Sequence, residues 1–287
     1  MTPFVQLMPD GQRLHLQHGP SDLIIWAEGA RDAAYRAATR RFQTIIAEIV
    51  DELAALREML SPFSKRPGGP VARRMHDVCA PFASSCHVTR MAAVAGSVAD
   101  EVLAAMTSNA DIMRAYVNNG GDIALHLAPG TSFATAIKGH DGADLGRVRI
   151  TANDGIGGIA TSGRHGRSLS LGIADSVTAL APSAAGADVA ATLIANAVDL
   201  PGHPAITRQP ACDVDDDSDL VDLPVVTGCR QLSANDCARA LSVGRRRALF
   251  FQSKGFITSA ALFLQDHAAT TGTHVLPSSE ECQYVEN

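Results

Sequence analysis

The chain has 287 residues, with 24 Lys and Arg against 30 Asp and Glu for a net charge of -6, 46% hydrophobic residues and a mean hydropathy of +0.06. That balance is too apolar for a disordered chain and too evenly mixed for a membrane protein, and it offers no overall positive field to nucleic acid or anionic lipid. Aromatic residues make up only 5%, which leaves few platforms for stacking single-stranded nucleic acid or long glycans, so a small-molecule ligand is the expectation.

The start, MTPFVQLMPDGQRLHLQHG, has no basic segment followed by an apolar run, and no apolar stretch reaches the length of a membrane span; a cytoplasmic location is expected. The same residues alternate as strands, with VQLMP and RLHLQH joined through Asp10 and Gly11 into a hairpin and DLIIWAE as a third run. After Gly29 the period changes. Phe42, Ile45, Ile46, Ile49, Leu53 and Leu56 recur every three to four positions and predict one long amphipathic helix over residues 30–59, stopped by SPFSKRPGGP at residues 61–70.

A second helix is expected over residues 91–106, MAAVAGSVADEVLAAM, whose small residues permit close packing. The runs MRAYVNN, DIALHL, FATAIK, GRVRIT and GGIATS predict a largely antiparallel meander. Helices are expected again over residues 184–197 and 233–267, the latter broken near Gly244 and Gly255. Residues 201–224 lack a period, carry six Asp between Asp213 and Asp222, and read as a surface connection. Strands grouped between helices argue for an α+β fold, a mixed and largely antiparallel sheet with flanking helices. A single domain over residues 1–267 and a polar, mobile tail over 268–287 are expected.

The cysteines, Cys79, Cys86, Cys212, Cys229, Cys237 and Cys282, lack zinc-ligand spacing and read as reduced thiols. The Asp run has EF-hand-like spacing at Asp213, Asp215 and Asp217, but Ser218 stands where Gly is required and Pro224 where the bidentate Glu belongs, so no calcium loop is expected. Arg245, Arg246 and Arg247 read as a solvated helix end.

Chemistry could sit at three places. In Val117, Asn118, Asn119, Gly120, Gly121 and Asp122 a strand ends in amides, two glycines and a carboxylate, which suits either close approach of a ligand or a plain hairpin turn. In DGIGGIATSGRHGRS, residues 154–168, glycines, hydroxyls and guanidiniums form a phosphate-binding vocabulary, although the same composition also makes a flexible loop. A Rossmann reading of Gly155, Gly157 and Ala160 fails because no amphipathic helix follows. Asp188 and Thr192, four apart on a helix, share a face and could offer oxygens to magnesium; the competing reading is helix N-terminal chemistry, with Asp188 in the first turn.

Taken in order, VNNGGDIAL, GGIATSGR, SVTALAPSAAGADVAAT and AAVAGSVAD resemble the FAD:protein FMN transferase family, ApbE. Across residues 10–265 the chain is more closely similar to an uncharacterised ApbE-related family of that superfamily, through HGPSDLIIWAEG, NAVDLPGHPAITRQPA and the acidic SDL segment. The resemblance implies an ApbE-like fold and Mg²⁺ held by Asp188, Thr192 and the backbone carbonyl near Val94. By the same resemblance Asn119, Gly120, Gly121 and Asp122 line a site for FAD or FMN, with Thr161, Ser162, Gly163 and Arg164 beside it. The implied catalytic set is Asp188, Thr192 and His165.

Departures from the family pattern stand beside these matches. The transferases' Lys-Gly is Ala95-Gly96 here. Their H-x-x-D-P-x-T-G segment is replaced by RHGRSLSLGIADS, where His165 and Asp175 are the available stand-ins, and their flavin-gripping start is replaced by HGPSDL. The expected function is a Mg-dependent enzyme acting on a flavin or other nucleotide pyrophosphate, FMN transferase-like. The alternatives are a non-catalytic flavin or nucleotide carrier, an enzyme of one-carbon or pterin cofactor biosynthesis implied by family association, and a structural subunit whose small-residue helices form a homodimer interface.

Overall fold

The structure is a computed structural model that describes residues 2–108, 110–277 and 283–284. Its chain divides into two compact units, residues 1–133, 150–160 and 181–189 forming the first and residues 134–149, 161–180 and 190–287 the second.

The first unit opens with β1 (Phe4–Leu7), β2 (Leu14–His18) and β3 (Ser21–Gly29), the hairpin and third strand expected. Asp10 closes the first turn by accepting the N–H groups of Gln12 and Arg13 at 2.9 and 3.0 Å. Helix α1 (Arg31–Asp51) follows, then α2 (Leu53–Arg57), so the helix expected over residues 30–59 is in two pieces. The break has a cause in Glu52, whose carboxylate accepts the N–H groups of Gly68 and Gly69 at 2.8 and 2.7 Å and so ties the helix end to the Pro-Gly-Gly turn.

That turn starts a helix absent from the sequence reading, α3 (Pro70–Cys79), with proline at its first position and Val71, Ala72, Met75 and Cys79 inward. Next come α4 (Val94–Thr107), β4 (Ile112–Asn119), β5 (Asp122–Leu127), β6 (Ser132–Lys138), β7 (Asp144–Thr151) and β8 (Gly158–Ser162). The pairings β1–β2, β2–β3, β3–β4, β4–β5 and β5–β8 are all antiparallel. Leu16, Leu23, Ile25, Ala115, Val117 and Ala124 of these strands belong to one buried cluster with Phe42 and Ile45 of α1 and Val98, Val102 and Met106 of α4. The alternation in the strands and the 3.6-residue period in the helices bring these side chains to one core.

The expected meander is broken at β6 and β7. They leave the series and, with β14 (Val275–Pro277), form a three-stranded sheet in the order β14-β7-β6. The chain continues through β9 (Ser176–Ala181), α5 (Ala184–Ala197), β10 (Ile206–Pro210), α6 (Ala211–Val214), β11 (Pro224–Cys229) and α7 (Ala234–Ser253) to β12 (Ser259–Leu264), β13 (His267–Thr271) and β15 (Gln283–Tyr284).

Three expectations change in the second unit. The region read as a surface connection contains β10, which pairs antiparallel with β11. Helix α7 runs unbroken through Gly244, because that glycine permits close packing: a Cβ there would lie 2.3 Å from Val198 Cγ2 and 2.8 Å from Leu262 Cδ2. Residues 259–264 and 267–271, expected as helix and tail, are β12 and β13, a hairpin whose corner is Gln265 at φ 51. Apolar residues dense enough for a buried strand cannot be told from a helix by period alone. Of the expected mobile tail, residues 278–282 and 285–287 lie outside the described residues.

The architecture is α+β; β12 pairs antiparallel with both β9 and β13, and β13 pairs parallel with β15. Among the described residues no helix is long and apolar enough to cross a membrane.

Candidate functional site

In the first unit the small-residue helices meet at their N-termini. Gly96 in the first turn of α4 faces the start of α5, and a Cβ on it would sit 2.3 Å from the Ala184 carbonyl oxygen; Gly158 at the start of β8 is equally confined, 2.2 Å from Ala184 N. Small residues therefore set how closely these backbones approach.

Two carboxylates cross-cap the helices. Asp100 of α4 accepts the N–H groups of Ala184 and Ala185, the first two residues of α5, at 3.0 and 2.9 Å. Asp188 of α5 accepts the N–H of Gly96 at 2.9 Å and also that of Ala95. Each satisfies orphan donors at the other helix's N-terminus, where the dipole favours negative charge. The sequence alternative for Asp188, a first-turn position favoured by the dipole of its own helix, is thereby corrected: it lies in the second turn and caps α4.

The electrostatics of Asp188 are unusual. Burial raises its proton affinity well above the carboxylate range, the nearby Asp122 raises it further, and the Gly96 and Ala95 N–H groups only partly offset both. Burial raises Asp100 as well, against the two α5 amides. A carboxylate placed beside another carboxylate is a position that a proton or a cation would stabilise.

Asp122 opens β5 directly after Gly120 and Gly121, which adopt φ 66 and 114, so the Asn-Asn-Gly-Gly-Asp segment is a hairpin turn whose glycines are needed for their backbone conformation. A Cβ at Gly121 would meet nothing within 4 Å, which leaves that turn open. Asn118 Oδ1 accepts the Gly121 N–H at 2.9 Å. Buried Asn119 is spent on the protein: its Nδ2 donates to Ala95 O at 3.1 Å and its Oδ1 accepts the Asp22 N–H at 3.3 Å. It ties the turn to the same α4 terminus that holds Asp188. Val94 is the first residue of α4.

The remaining sequence candidates belong to the second unit. Helix α5 begins in the first unit and finishes in the second, and Thr192, one turn beyond Asp188, donates to Ser162 Oγ at 3.4 Å. Thr161 pairs with Thr178 through their hydroxyls at 2.9 Å. Gly163, at φ 156, lies against backbone, its Cβ position 2.4 Å from Asp175 O.

Asp175 is the hub of this cluster. Arg164 reaches its Oδ1 through Nη2 and Nε at 2.6 and 2.8 Å, His165 Nε2 lies 3.2 Å from the same oxygen, and the Gln265 N–H donates to Oδ2. His140, which sequence reasoning missed, stacks on His165 with ring centroids 3.8 Å apart and planes 9° apart. Nothing in the sequence signals that pairing, because His140 comes from the tip of the β6–β7 ribbon. Burial lowers the His165 proton affinity, and Arg164 and His140 lower it further against the pull of Asp175. A cavity of about 340 Å³ adjoins the cluster, lined in part by His140, Asp141, Asp175, Ser176, Phe263 and Gln265.

The donor chemistry of the first unit suits a hard dication only as an incomplete site: Asp188 and Asp122 supply carboxylate oxygens, and among the described residues no three His, Cys, Asp or Glu side chains are grouped to hold a metal. Magnesium commonly completes such a set with waters and ligand oxygens. Cys79, Cys86, Cys212, Cys229 and Cys237 are not in disulfides.

Fold and site thus define an α+β protein in which two carboxylates cross-cap a pair of small-residue helices. Residues 5–273 match the family described as AbpE bacteria, and the chain belongs to that family. It is 40% identical over 120 residues to a UPF0280 protein of Methanococcus vannielii, covering 39% of this chain and 46% of that one. It is 35% identical over 169 residues to a UPF0280 protein of Methanopyrus kandleri, covering 58% and 65%. The chain therefore spans less than two thirds of the length of these relatives. The crystal structure of the ApbE protein from Thermotoga maritima is similar at 12% identity over 93% of this chain and 96% of that one, with a TM-score of 0.48.

Proposed function

We propose that the protein binds a nucleotide pyrophosphate of the FAD type through Mg²⁺ held at Asp188 and Asp122, and acts on it in the manner of an FMN transferase. The observation that carries this reading is the Asp188 carboxylate, fixed by the first turn of α4 and raised by burial and by Asp122. Cation binding would relieve that like-charge pair and displace the proton that burial favours. When bound, the dication would supply Lewis acidity and a template for phosphate oxygens.

The chain's own residues would do the rest. The Gly96 and Ala95 amides hold Asp188 in place, and a Cβ at Gly121, next to Asp122, would meet nothing within 4 Å. Taken by itself, the second unit carries the hydroxyls of Ser162 and Thr192, and its His165 beside Asp175 can hold or release a proton at Nε2. In the transferase reaction proposed, the phosphoanhydride bond of FAD breaks, AMP leaves, and the FMN phosphate passes to an acceptor hydroxyl on another protein.

The test is incubation of the protein with FAD and Mg²⁺, with and without chelator, following AMP and FMN by chromatography and flavin binding by fluorescence. Metal-dependent AMP release, lost in Asp188→Asn, is expected; absence of both binding and release would reject the reading. A second reading, a non-catalytic flavin or nucleotide carrier, is favoured by Ala95, where the transferases carry Lys, since no cation from that position neutralises a departing phosphate. It predicts flavin binding without AMP release.

A further inference from the structure

Two surfaces of the second unit are complementary to each other. Helix α7 packs Cys237, Ala240, Leu241, Gly244, Ala248 and Phe251 inward, yet its outer face is not an ordinary polar one. Arg239, Val243, Arg246, Phe250 and Lys254 are all exposed and recur at three-to-four spacing, so they form one solvent stripe, with Leu249 beside it. Val243, Leu249 and Phe250 are 38%, 41% and 50% exposed. After Asp236, which is engaged by Ser233, His203 and Arg239, the helix carries no carboxylate. In a chain of net charge -6, an uninterrupted cationic and apolar stripe stands apart.

The segment around α6 has the opposite character. Asp213, Asp215, Asp216 and Asp222 are exposed, and the large apolar residues among them, Val214 and Val221, are 44% and 58% exposed. The segment has a fixed shape: the Ala211 N–H donates to Leu223 O at 2.9 Å, Cys212 N–H to Val221 O at 2.8 Å, and Asp215 N–H to Ala211 O at 2.9 Å. Val221 sits at φ 48, a conformation a β-branched residue adopts only where its surroundings impose it, and the turn leaves its side chain in solvent. Carboxylates and apolar side chains on a preorganised segment make a docking surface that loses little entropy on binding.

We infer that the α7 stripe is an interface for a second copy of this chain, whose acidic segment at residues 211–223 docks on it, the two copies exchanging the same contact. The argument is charge complementarity: each copy carries both halves, cationic and apolar on α7, anionic and apolar on the acidic segment. An exchange of this kind is closed by a two-fold axis and makes the contact twice. Phe250 is the apolar anchor, and the charges around it set register and salt dependence.

The interface is tested by charge exchange, using sedimentation velocity and light scattering over a concentration series. Wild type is expected to form dimers whose dissociation constant rises about tenfold or more between about 50 mM and about 500 mM NaCl as the surface charges are screened. A D215K/D216K variant presents two cationic surfaces, and an R246E/K254E variant two anionic ones; each alone is expected to be monomeric, with an unchanged circular dichroism spectrum. An equimolar mixture restores both contacts and is expected to give heterodimers. The inference is overturned by a wild type monomeric throughout at low salt, by variants that still dimerise alone, or by a mixture that stays monomeric. Binding of a polyglutamate probe by a monomeric wild type would likewise overturn it, assigning the stripe to a foreign acidic partner. None of the four substituted residues belongs to the proposed pyrophosphate site, so a failure here is separable from a failure there.

Discussion

Asp188 in the first unit and Asp175 in the second are the same residue type set into opposite electrostatics. Asp188 is held by neutral backbone amides and stands near a second carboxylate, Asp122. Asp175 is held by a guanidinium, with an imidazole and one amide completing its shell. Backbone amides fix where a carboxylate sits but cancel only part of its charge, so Asp188 is left wanting a proton or a cation. Arg164 pairs with Asp175 through the same carboxylate oxygen that His165 Nε2 approaches, which suits Asp175 to orienting His165.

The largest expected effect comes from breaking the helix meeting that makes Asp188 what it is. Gly96→Ala puts a Cβ 2.3 Å from the Ala184 carbonyl oxygen, backbone that cannot rotate away. A loss of about 3 kcal/mol or more in urea unfolding is expected, since overpacking against rigid backbone is costly; a loss under about 1 kcal/mol would show that α4 and α5 slide freely.

Asp175→Ala comes second, because it strands Arg164 and the Gln265 N–H together. Arg164 keeps only 18% of its side chain exposed, and a cost of about 2 kcal/mol is expected, tempered by that residual solvent. Asp175→Asn should recover part of it. If alanine were neutral, the Asp175 cluster would be ornament on the surface and the contrast with Asp188 would lose one side.

A smaller effect of opposite sign is expected for Asp188→Asn. The amide oxygen can still accept from Gly96 while the like charge beside Asp122 disappears, so without metal the variant should be more stable by up to about 1 kcal/mol. Millimolar Mg²⁺ should raise the unfolding temperature of wild type and leave the variant unmoved. Destabilisation of the variant would mean that the α4 terminus alone balances the charge.

The smallest effect concerns pH. Burial lowers the proton affinities of His76 and His165, and each faces a guanidinium, Arg90 at 3.2 Å from His76 Nδ1 and Arg164 beside His165. The folded state thus prefers neutral imidazoles, and the unfolded chain takes up protons first as pH drops. Their contribution is complete above the ordinary imidazole range and is lost as pH falls through the lowered folded values. The slope of stability between about pH 7 and pH 5 should flatten in His76→Gln and His165→Gln measured separately.

Much of the fold was legible. The hairpin at Asp10 and Gly11, the strands bracketing Gly120-Gly121 and the helix starting at Ala184 follow from turn chemistry and apolar period, which are local. The split at Glu52 was hidden because a carboxylate in a helical pattern gives no sign that its partners are Gly68 and Gly69. Gly244 looked like a breaker, though its purpose is contact with Val198 and Leu262. Asp188 was found by spacing, but the sequence offered a place in the first turn of its own helix, and the structure gives a cap of α4.

By itself, then, the sequence determined the apolar periodicity, the turns, the α+β class, the family resemblance and which side chains carry chemistry. Tertiary structure alone decided the electrostatic setting of each. Whether a carboxylate faces amides, a guanidinium or another carboxylate depends on residues distant in the chain, such as Gly96 with Asp188, Asp100 with Ala184 and Gln265 with Asp175. The physical reason is range: propensity and period act over a few residues, while desolvation and charge pairing depend on distances in space that only packing sets.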